Sequence, residues 1–427
     1  MHTLNRRKFL TLLGSTAAGG LLGLPAISHG AYRARVIVVG GGYGGATAAK
    51  YLRLADPRIE VILIEKEKKF ISCALSNEVI AGERDLASLS FGYEPLTAFY
   101  GINVIHDEVT GIDANKRLVQ TRSGQQHGYD RLIVAPGVSF RWDAIEGYDE
   151  AAAQLLPHAW KAGEQTLLLQ QQLKDMPDGG KVYITAPPNP FKCPPGPYER
   201  AALIAHYLTL QGKTRSKIII LDSKDRFDKQ ALFEQGWEQH YPGMISWVPA
   251  AEDGKVLRVD AQKRTLNTEF EVHKADVINV IPPQKAGYIA EQAGLTDGSG
   301  WCPVNQQTFE SERRENVHVI GDACVAGSMP KAGYAANSQA KVCAAAISAL
   351  IDGAKPPVPS YVNTCYSIIA PNHGISVTSV YTFKDGEIID VEGAGGVSPL
   401  NASAWERRME ATYARSWFDN ITADIFG

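Results

Sequence analysis

Residues 35–50, RVIVVGGGYGGATAAK, limit the possible folds of this chain more than any other stretch. The stretch begins with β-branched residues typical of a buried parallel strand, passes through a glycine turn and ends in small residues that suit a helix. Gly40, Gly42 and Gly45 fit the pattern G-x-G-x-x-G, whose glycines allow a tight turn, close approach to a pyrophosphate and close packing of helix on strand. Because the helix N-terminus also presents unpaired N–H groups, the stretch predicts a βαβ unit that binds a dinucleotide.

The residues after the next predicted strand indicate where the ribose would lie. This strand covers residues 60–64 and is followed by Glu65 and Lys66. An acid at this point of a βαβ unit accepts hydrogen bonds from ribose hydroxyls. We therefore place Glu65, with Lys66 beside it, in the predicted binding site.

Three later segments favour FAD over NAD as the dinucleotide. Residues 316–322, NVHVIGD, predict a short apolar strand ending in Gly321 and Asp322, a pattern typical of contact with the ribityl chain of a flavin. Residues 129–137 predict another buried strand that ends in a tight turn at Gly137. A helix predicted from Gly333 would direct its N-terminus at the flavin, where the helix dipole favours a reduced, anionic ring.

The second half of the chain begins another βαβ unit that lacks a phosphate-binding turn. After the predicted strand 180–186, the chain reads PPNPFKCPPGPYE over residues 187–199. Proline removes N–H donors and fixes φ, so this loop cannot form the usual cradle for a pyrophosphate. The pattern argues against a nicotinamide-dependent reductase and singles out Cys193 as the feature that replaces the turn.

The N-terminal residues predict export. Residues 5–10, NRRKFL, contain a twin arginine, and an apolar stretch rich in alanine, glycine and leucine follows to residue 27. A membrane anchor is the alternative, but the stretch is short and glycine-rich, so we expect removal between residues 26 and 31 and delivery to the periplasm. The formal net charge of −3 does not suggest binding to nucleic acid.

The motifs together resemble the flavoprotein subunit of flavocytochrome c sulfide dehydrogenase, within the disulfide-reductase-like flavoproteins that have two dinucleotide-binding domains. The resemblance covers the chain from about residue 35 to residue 427. The residues that carry it are VVGGGYGGATAAKY at 38–51, CALSNEV at 73–79, FKCPPGPYE at 191–199, HVIGDA at 318–323 and TC at 364–365.

The resemblance implies a set of roles for individual residues. Cys73 would form a thioether to the 8α-methyl group of FAD, Cys193 and Cys365 would form a redox disulfide beside the flavin, and Glu199 would lie close to it. The subunit pairs with a c-type cytochrome, with Trp417 toward the haem side. This chain has no C-x-x-C-H motif, so the haem must belong to the partner. From the residues alone, a structural Cys193–Cys365 disulfide and an apolar packing role for Trp417 remain open.

These roles imply oxidation of sulfide. HS⁻ would attack the disulfide and leave a persulfide and a thiolate, and the thiolate would pass two electrons to the flavin. We expect a periplasmic enzyme that delivers electrons to the cytochrome. One alternative is a sulfide:quinone oxidoreductase, although residues 402–427 are too polar for stable membrane insertion. Another is a redox partner or activator of a sulfur-oxidising complex.

The predicted fold class is α/β, with two dinucleotide-binding domains and a C-terminal α+β interface domain. The expected segments are a signal peptide (1–31), the first part of the FAD domain (32–148), an NAD-like domain with the redox cysteine loop (149–285), the second part of the FAD domain (286–356) and the C-terminal domain (357–427). The C-terminal domain should contain a helix over residues 402–417. Cys302, Cys324 and Cys343 are interpreted as buried thiols or a structural pair, and no His/Cys cluster has the spacing of a metal site.

Overall fold

In the computed structural model, which describes residues 32–427, the first βαβ unit forms where the glycine motif predicts it. Strand β1 (Ala34–Val39), helix α1 (Tyr43–Ala55) and strand β2 (Ile59–Ile64) follow one another, and the two strands pair in parallel. The predicted signal peptide, residues 1–31, lies outside the described residues. The other elements of this segment are β3 (Phe70–Ile71), α2 (Ser76–Ile80), β4 (Ser90–Phe91), α3 (Glu94–Tyr100), β5 (Asn103–Ile105), β6 (Val109–Asp113), β7 (Leu118–Thr121), β8 (Gln126–Gly128), β9 (Arg131–Val134) and β10 (Val138–Phe140).

The middle of the chain forms a second parallel sheet, as the second βαβ pattern predicts. Its elements are α4 (Glu164–Asp175), β11 (Lys181–Ala186), α5 (Gly196–Leu210), β12 (Lys217–Asp222), α6 (Gln230–His240), β13 (Ile245–Val248), β14 (Arg258–Asp260), β15 (Thr265–Asn267), β16 (Val272–Lys274), β17 (Val277–Val280) and β18 (Gln284–Ala286). The parallel sheet has the order β13-β12-β11-β17, and β14, β15 and β16 form a separate antiparallel sheet. The antiparallel pair β10–β18 lies where the chain leaves the first segment and returns to it.

The returning chain completes the first sheet. It forms α7 (Tyr288–Gln292), β19 (Val317–Val319) and α8 (Gly333–Ile351), and β19 pairs with β9. The resulting parallel sheet has the order β19-β9-β1-β2-β5. Strands β19, β9, β1 and β2 are mostly buried, as expected for a parallel sheet covered by helices, whereas the edge strand β5 is partly exposed. The α/β fold with two nucleotide-binding-type domains is therefore confirmed.

The C-terminal segment packs against helices of both domains. It consists of β20 (Ser360–Ala370), β21 (His373–Lys384), β22 (Glu387–Asp390), β23 (Gly396–Val397) and α9 (Ala404–Phe426). Ser403 and Glu406 cap α9 reciprocally. The prediction that this helix ends near residue 417 is wrong, because Phe418, Ile421 and Ile425 continue the helical spacing and are buried.

The last turns of α9 belong to the core of the FAD domain. The ring of Phe426 stacks between Phe70 and Phe91, with centroids 5.4 and 5.2 Å away. The ammonium of Lys50 donates to the backbone carbonyl of Asp424 at 2.7 Å. None of the helices described between residues 32 and 427 combines the length and apolarity that a membrane crossing requires.

Candidate functional site

A cavity of about 380 Å³ lies at the carboxyl ends of the strands, between the first sheet, the loop before α5 and strand β20. Its walls come from all three segments of the chain, which places residues far apart in the sequence around one space. The residues predicted from the sequence that line it are Gly40, Gly42, Glu65, Cys73, Gly137, Cys193, Glu199, Gly321, Asp322, Gly333 and Cys365.

The glycine motif at the junction of β1 and α1 leaves no room for a side chain at Gly40 or Gly45. Gly40 has φ +96°, and a Cβ atom there would lie 2.4 Å from the carbonyl oxygen of Ala135. Gly45 packs so closely that a Cβ would lie 1.8 Å from the carbonyl oxygen of Gly40. Gly45 therefore does not line the cavity, but it sets the distance between α1 and the turn, as the motif predicts.

The acid after β2 is held in place by the turn itself. The carboxylate of Glu65 accepts a hydrogen bond from the N–H of Gly41 at 2.7 Å and another from the N–H of Glu67 at 2.9 Å. Lys66 is not among the cavity-lining residues. Its side chain is exposed, and its ammonium lies 3.9 Å from the carboxylate of Glu67.

Asp322 presents an unsatisfied oxygen at the cavity. Its Oδ1 atom is buried and accepts no hydrogen bond from any described residue. Burial raises the pKa of this carboxyl group, while the ammonium groups of Lys192 and Lys331 act in the opposite direction. A ribityl hydroxyl could donate to this oxygen. The unpartnered oxygen, the glycine cradle and the positioned Glu65 together fit FAD.

Cys73 contacts a lysine that the sequence did not identify as functional. The ammonium of Lys192 lies 3.1 Å from Cys73 Sγ and donates to the carbonyl oxygen of Trp160 at 2.9 Å. Burial alone would raise the pKa of the Cys73 thiol, but the charge and hydrogen bond of Lys192 and a backbone N–H outweigh it, so this pKa is lowered. Cys73 is therefore the thiol in the cavity that is biased toward the thiolate.

Cys193 and Cys365 reach the same cavity from different segments. Both are free thiols in this structure. Desolvation, followed by the nearby Glu199 and Cys365, raises the pKa of Cys193 to about 12. Desolvation also raises the pKa of Cys365, partly offset by Lys229. Both groups are therefore disfavoured as isolated thiolates until a cofactor or partner alters their surroundings.

Glu199 lies on the first turn of α5 and lines the same cavity as the two cysteines. Its carboxyl group accepts from Asn77 Nδ2 at 2.8 Å and from the backbone N–H of Ile368 at 2.7 Å. Desolvation raises its pKa, which these two hydrogen bonds and Lys229 only partly oppose. A carboxyl group with a raised pKa can hold and release a proton near neutral pH.

A buried arginine fixes this end of the cavity. The guanidinium of Arg200 donates to Asn77 Oδ1 at 3.0 Å, to Asn279 Oδ1 at 2.9 Å and to the carbonyl oxygens of His158 and Ala159 at 3.0 and 2.7 Å. All four acceptors are neutral. Burial lowers the pKa of Arg200 to about 10, and the cysteines and Glu199 act against that shift.

Several residues at the cavity adopt a strained backbone conformation. Leu75, Ala159 and Cys193 line it with φ of +61°, +46° and +57°, and Lys229, which donates to the carbonyl oxygen of Cys365, has φ +61°. Each such residue costs about 1–3 kcal/mol unless its surroundings compensate. For Cys193, part of the compensation is the hydrogen bond from its N–H to the carbonyl oxygen of Lys331 at 2.8 Å.

The sequence did not identify Lys192, Lys161, Trp160, Asn77 and Arg200 as parts of the site. Lys192 had one available signal, its position directly before Cys193 in the proline-rich loop. Trp417 also lines the cavity, where its ring stacks parallel to that of Tyr334 at 6.2 Å.

The end of β12 shows what occupies the corresponding place in the second domain. Asp222 is fully buried and accepts from Lys224 Nζ at 2.6 Å, Tyr198 Oη at 2.5 Å and Trp247 Nε1 at 2.9 Å. The ring of Phe227 stacks on Tyr198 at 3.6 Å. The carboxylate of Asp222 therefore already accepts hydrogen bonds from side chains of this protein, which agrees with the absence of a glycine motif in the second βαβ unit.

The other three cysteines are buried and do not line the cavity. Cys302, Cys324 and Cys343 are at most 2% exposed and carry free thiols, as the first of the two sequence interpretations expects. Cys302 and Cys324 face each other in a β-bridge. Within residues 32–427, no group of His, Cys, Asp and Glu side chains has the arrangement of a metal site.

Family models match most of the chain. The model described as the central part of the sulfide dehydrogenase [flavocytochrome c] flavoprotein chain matches residues 166–282. The model described as flavocytochrome c sulphide dehydrogenase, flavin-binding, matches residues 357–426. A pyridine nucleotide-disulphide oxidoreductase model matches residues 34–175. The last two support binding of FAD in the cavity.

Individual relatives extend this result. The chain is 58% identical over 45 residues to the sulfide dehydrogenase [flavocytochrome c] flavoprotein chain of Chlorobaculum thiosulfatiphilum, covering 10% of this chain and 94% of that sequence. It is 25% identical over 303 residues to the mitochondrial sulfide:quinone oxidoreductase of Mus musculus. That match covers 67% of this chain and 65%, just under two thirds, of the mouse protein.

Comparison of structures supports the same fold. The solved structure of the sulfide:quinone oxidoreductase from Aquifex aeolicus superposes with a TM-score of 0.71 at 18% identity, over 92% of each chain. The two models specific to the flavocytochrome cover the loop with Cys193 and the strand with Cys365. The chain therefore belongs to the family of flavoprotein chains of flavocytochrome c sulfide dehydrogenase.

Proposed function

We propose that the protein oxidises sulfide with FAD bound in the cavity. The observation that carries the proposal is that Cys193 and Cys365, from two segments of the chain, line the same cavity as Glu199. Both Glu199 and Cys365 are near enough to raise the pKa of Cys193. When bound, FAD would accept the two electrons that sulfide releases. Gly40, Glu65 and Asp322 would hold it in the way their geometry allows.

The chemistry proposed for the cysteines begins with a disulfide between them. HS⁻ attacks one sulfur, a new S–S bond forms, and the other cysteine leaves as a thiolate. The thiolate would then bond to the outer sulfur of the persulfide to form a trisulfide. This step releases one proton and two electrons, and bound FAD would supply the acceptor for those electrons. Glu199, whose pKa is raised by burial, would supply or take the proton that accompanies release of the sulfur product.

Substitution of Cys193 tests this proposal. Cys193→Ser should lower sulfide oxidation at least a hundredfold while leaving the flavin absorbance of the purified protein unchanged. Cys343→Ser is the matched control, because Cys343 is buried away from the cavity in α8. Sulfide turnover within threefold of wild type in Cys193→Ser would overturn the mechanism.

For the electron acceptor, we propose a c-type cytochrome subunit that carries the haem. The two flavocytochrome-specific family matches support this choice. The similarity to sulfide:quinone oxidoreductases over 303 residues supports a quinone as the second candidate. Stopped-flow reoxidation of the reduced protein with ferricytochrome c and with a soluble ubiquinone analogue separates them, since the true acceptor should react at least tenfold faster.

We also propose that FAD is bound covalently through Cys73 and that the protein functions in the periplasm. Flavin fluorescence that stays with the Cys73 peptide after denaturation would support the linkage, whereas free release of all flavin would refute it. Location is tested by cell fractionation of the full chain and of a variant with both Arg6 and Arg7 changed to lysine. Equal amounts of both proteins in the periplasm would argue against the twin-arginine route.

A further inference from the structure

Lys192 and Cys73, which both line the cavity, are in direct contact. The ammonium lies 3.1 Å from Sγ, and its second hydrogen bond goes to a neutral carbonyl oxygen of Trp160. Sγ itself lies 3.5 Å from that same carbonyl. Two groups from separate parts of the chain, the ammonium of Lys192 and the carbonyl oxygen of Trp160, therefore meet at the sulfur of Cys73.

The thiol is the only anion-forming group that the ammonium touches among the described residues. Lys192 forms no ion pair with a carboxylate anywhere in residues 32–427, and Asp322 acts on it only through space. An ammonium placed in a protein cavity is stabilised by an anion at contact distance. Burial lowers the pKa of Lys192, but Cys73 and then Asp322 more than compensate, so this pKa is raised. Each partner therefore favours the charged form of the other.

We propose that Lys192 is a positioning residue that keeps Cys73 as a thiolate and so drives its attachment to the flavin. The inference rests on the covalent linkage proposed above and adds how this chain brings it about. Attachment needs a nucleophilic sulfur, and the thiolate rather than the thiol is the nucleophile. Neither Cys193 nor Cys365 has such a contact with a lysine ammonium at its sulfur.

Attachment of the flavin needs no oxidant other than the flavin itself, and an outside electron acceptor is needed only to reoxidise the ring. A bond forms between Cys73 Sγ and the 8α-carbon of FAD, and one C–H bond of that methyl group breaks and releases its proton. The electron pair stays on the isoalloxazine ring, which becomes reduced by two electrons. A one- or two-electron acceptor, either oxidised c-type haem or dioxygen, then reoxidises the ring.

The test follows attachment directly, not turnover. Flavin-free full-length protein from riboflavin-limited cells is mixed with FAD, and covalent flavin is measured by fluorescence after denaturation. An unperturbed thiol with a pKa of about 8.5 is only about 3% ionised at pH 7. Because burial still raises the pKa of the thiol when Lys192 is removed, we expect Lys192→Met to attach flavin at least about thirtyfold more slowly at pH 7 and to recover about tenfold per pH unit above it. Wild-type attachment should vary less than threefold from pH 7 to pH 9.

Two further variants separate the contact from the general charge of the cavity. Lys192→Arg should attach flavin within about fivefold of wild type, because it keeps the positive charge. Lys161→Met removes another cavity ammonium that lies over the ring of Phe140 instead of the sulfur. It should attach flavin at least fivefold faster than Lys192→Met. Equal slowing in the two methionine variants would overturn the inference.

The outcomes also separate this inference from the proposed linkage. If wild-type protein gains no covalent flavin, the linkage itself is refuted. If wild type attaches flavin and Lys192→Met does so at the same rate, only the role of Lys192 is refuted. Should Lys192→Met fail to bind FAD at all, the wild-type pH profile decides, because a tenfold rise per pH unit would show a thiol that is not held as a thiolate. Without an acceptor, attachment should bleach the flavin in a one-to-one ratio with the bonds formed.

Discussion

Gly45→Ala should separate the role of the glycine turn from that of a simple helix start. A Cβ at this position would lie 1.8 Å from the carbonyl oxygen of Gly40, which is backbone and cannot rotate away. A tolerable carbon–oxygen contact is about 3.2 Å, so α1 must move by more than 1 Å from β1. Overpacking of this kind costs about 1–3 kcal/mol, and the rigid neighbour places this case at the upper end. A loss of about 3 kcal/mol corresponds to roughly a hundredfold in FAD affinity if the strain is relieved when the turn opens.

The assay compares chemical denaturation and FAD titration of flavin-free Gly45→Ala with Gly44→Ala. At Gly44 a Cβ would meet the flexible Cδ1 atom of Ile320 at 3.4 Å, an ordinary contact. Alanine in a helix is also favoured over glycine by about 1 kcal/mol. Gly44→Ala should therefore unfold within about 1 kcal/mol of wild type. If Gly45→Ala matched it in both stability and FAD affinity, the close packing of helix on turn would not matter for binding.

Three further predictions concern charge and packing. Burial lowers the pKa of His158 to about 3, so between that pH and 6.5 only the unfolded state gains a proton at this residue. The free energy of unfolding should therefore fall by about 2 kcal/mol from pH 6.5 to pH 5. His158→Asn keeps an acceptor for the N–H of Trp160, and its denaturation should lack this pH dependence. Asp322→Asn should make the flavin-free protein more stable at pH 7 but not at pH 3, because it removes a buried carboxyl group whose pKa is raised by burial. It should also weaken FAD binding, measured by titration, about tenfold. Equal stabilisation at both pH values would contradict the stability prediction. Phe426→Ala should cost about 3–5 kcal/mol in guanidinium unfolding, because it removes a ring that is 5% exposed and stacked on two others; a loss below 1 kcal/mol would show that the end of α9 is not part of the core.

The parts of the fold that depend on neighbouring residues could be predicted from the sequence. The turn from β1 to α1 is determined by steric contacts, since only glycine fits at positions 40 and 45, and the G-x-G-x-x-G motif predicts this. The same holds for the proline-rich loop, whose lack of donors excludes a phosphate cradle. For Gly45 and for the proline-rich loop the physical cause lies within a few residues of the effect, whereas the close contact at Gly40 is with the distant Ala135.

The parts that depend on long-range packing could not be predicted from the residues alone. Nothing in the spacing places Cys365 at the same cavity as Cys193, and only the resemblance suggested it. The contact between Lys192 and Cys73 depends on a loop whose backbone adopts a left-handed conformation at Cys193, which composition does not reveal. The end of α9 was misjudged because its last turns are buried against the FAD domain, so their apolar residues fit a tertiary neighbour.

The contacts between α9 and the first βαβ unit determine when this protein can finish folding. Tyr51 Oη donates to the carboxylate of Asp424, a partner 373 residues later in the chain. Contacts of such sequence separation slow folding, because the intervening chain must be ordered before they form. During synthesis, strands β1, β2, β5 and β9 leave the ribosome long before the helix that completes their core. FAD capture would then follow translation of residues 404–426, and a truncation there should disable a binding motif that begins at Gly40.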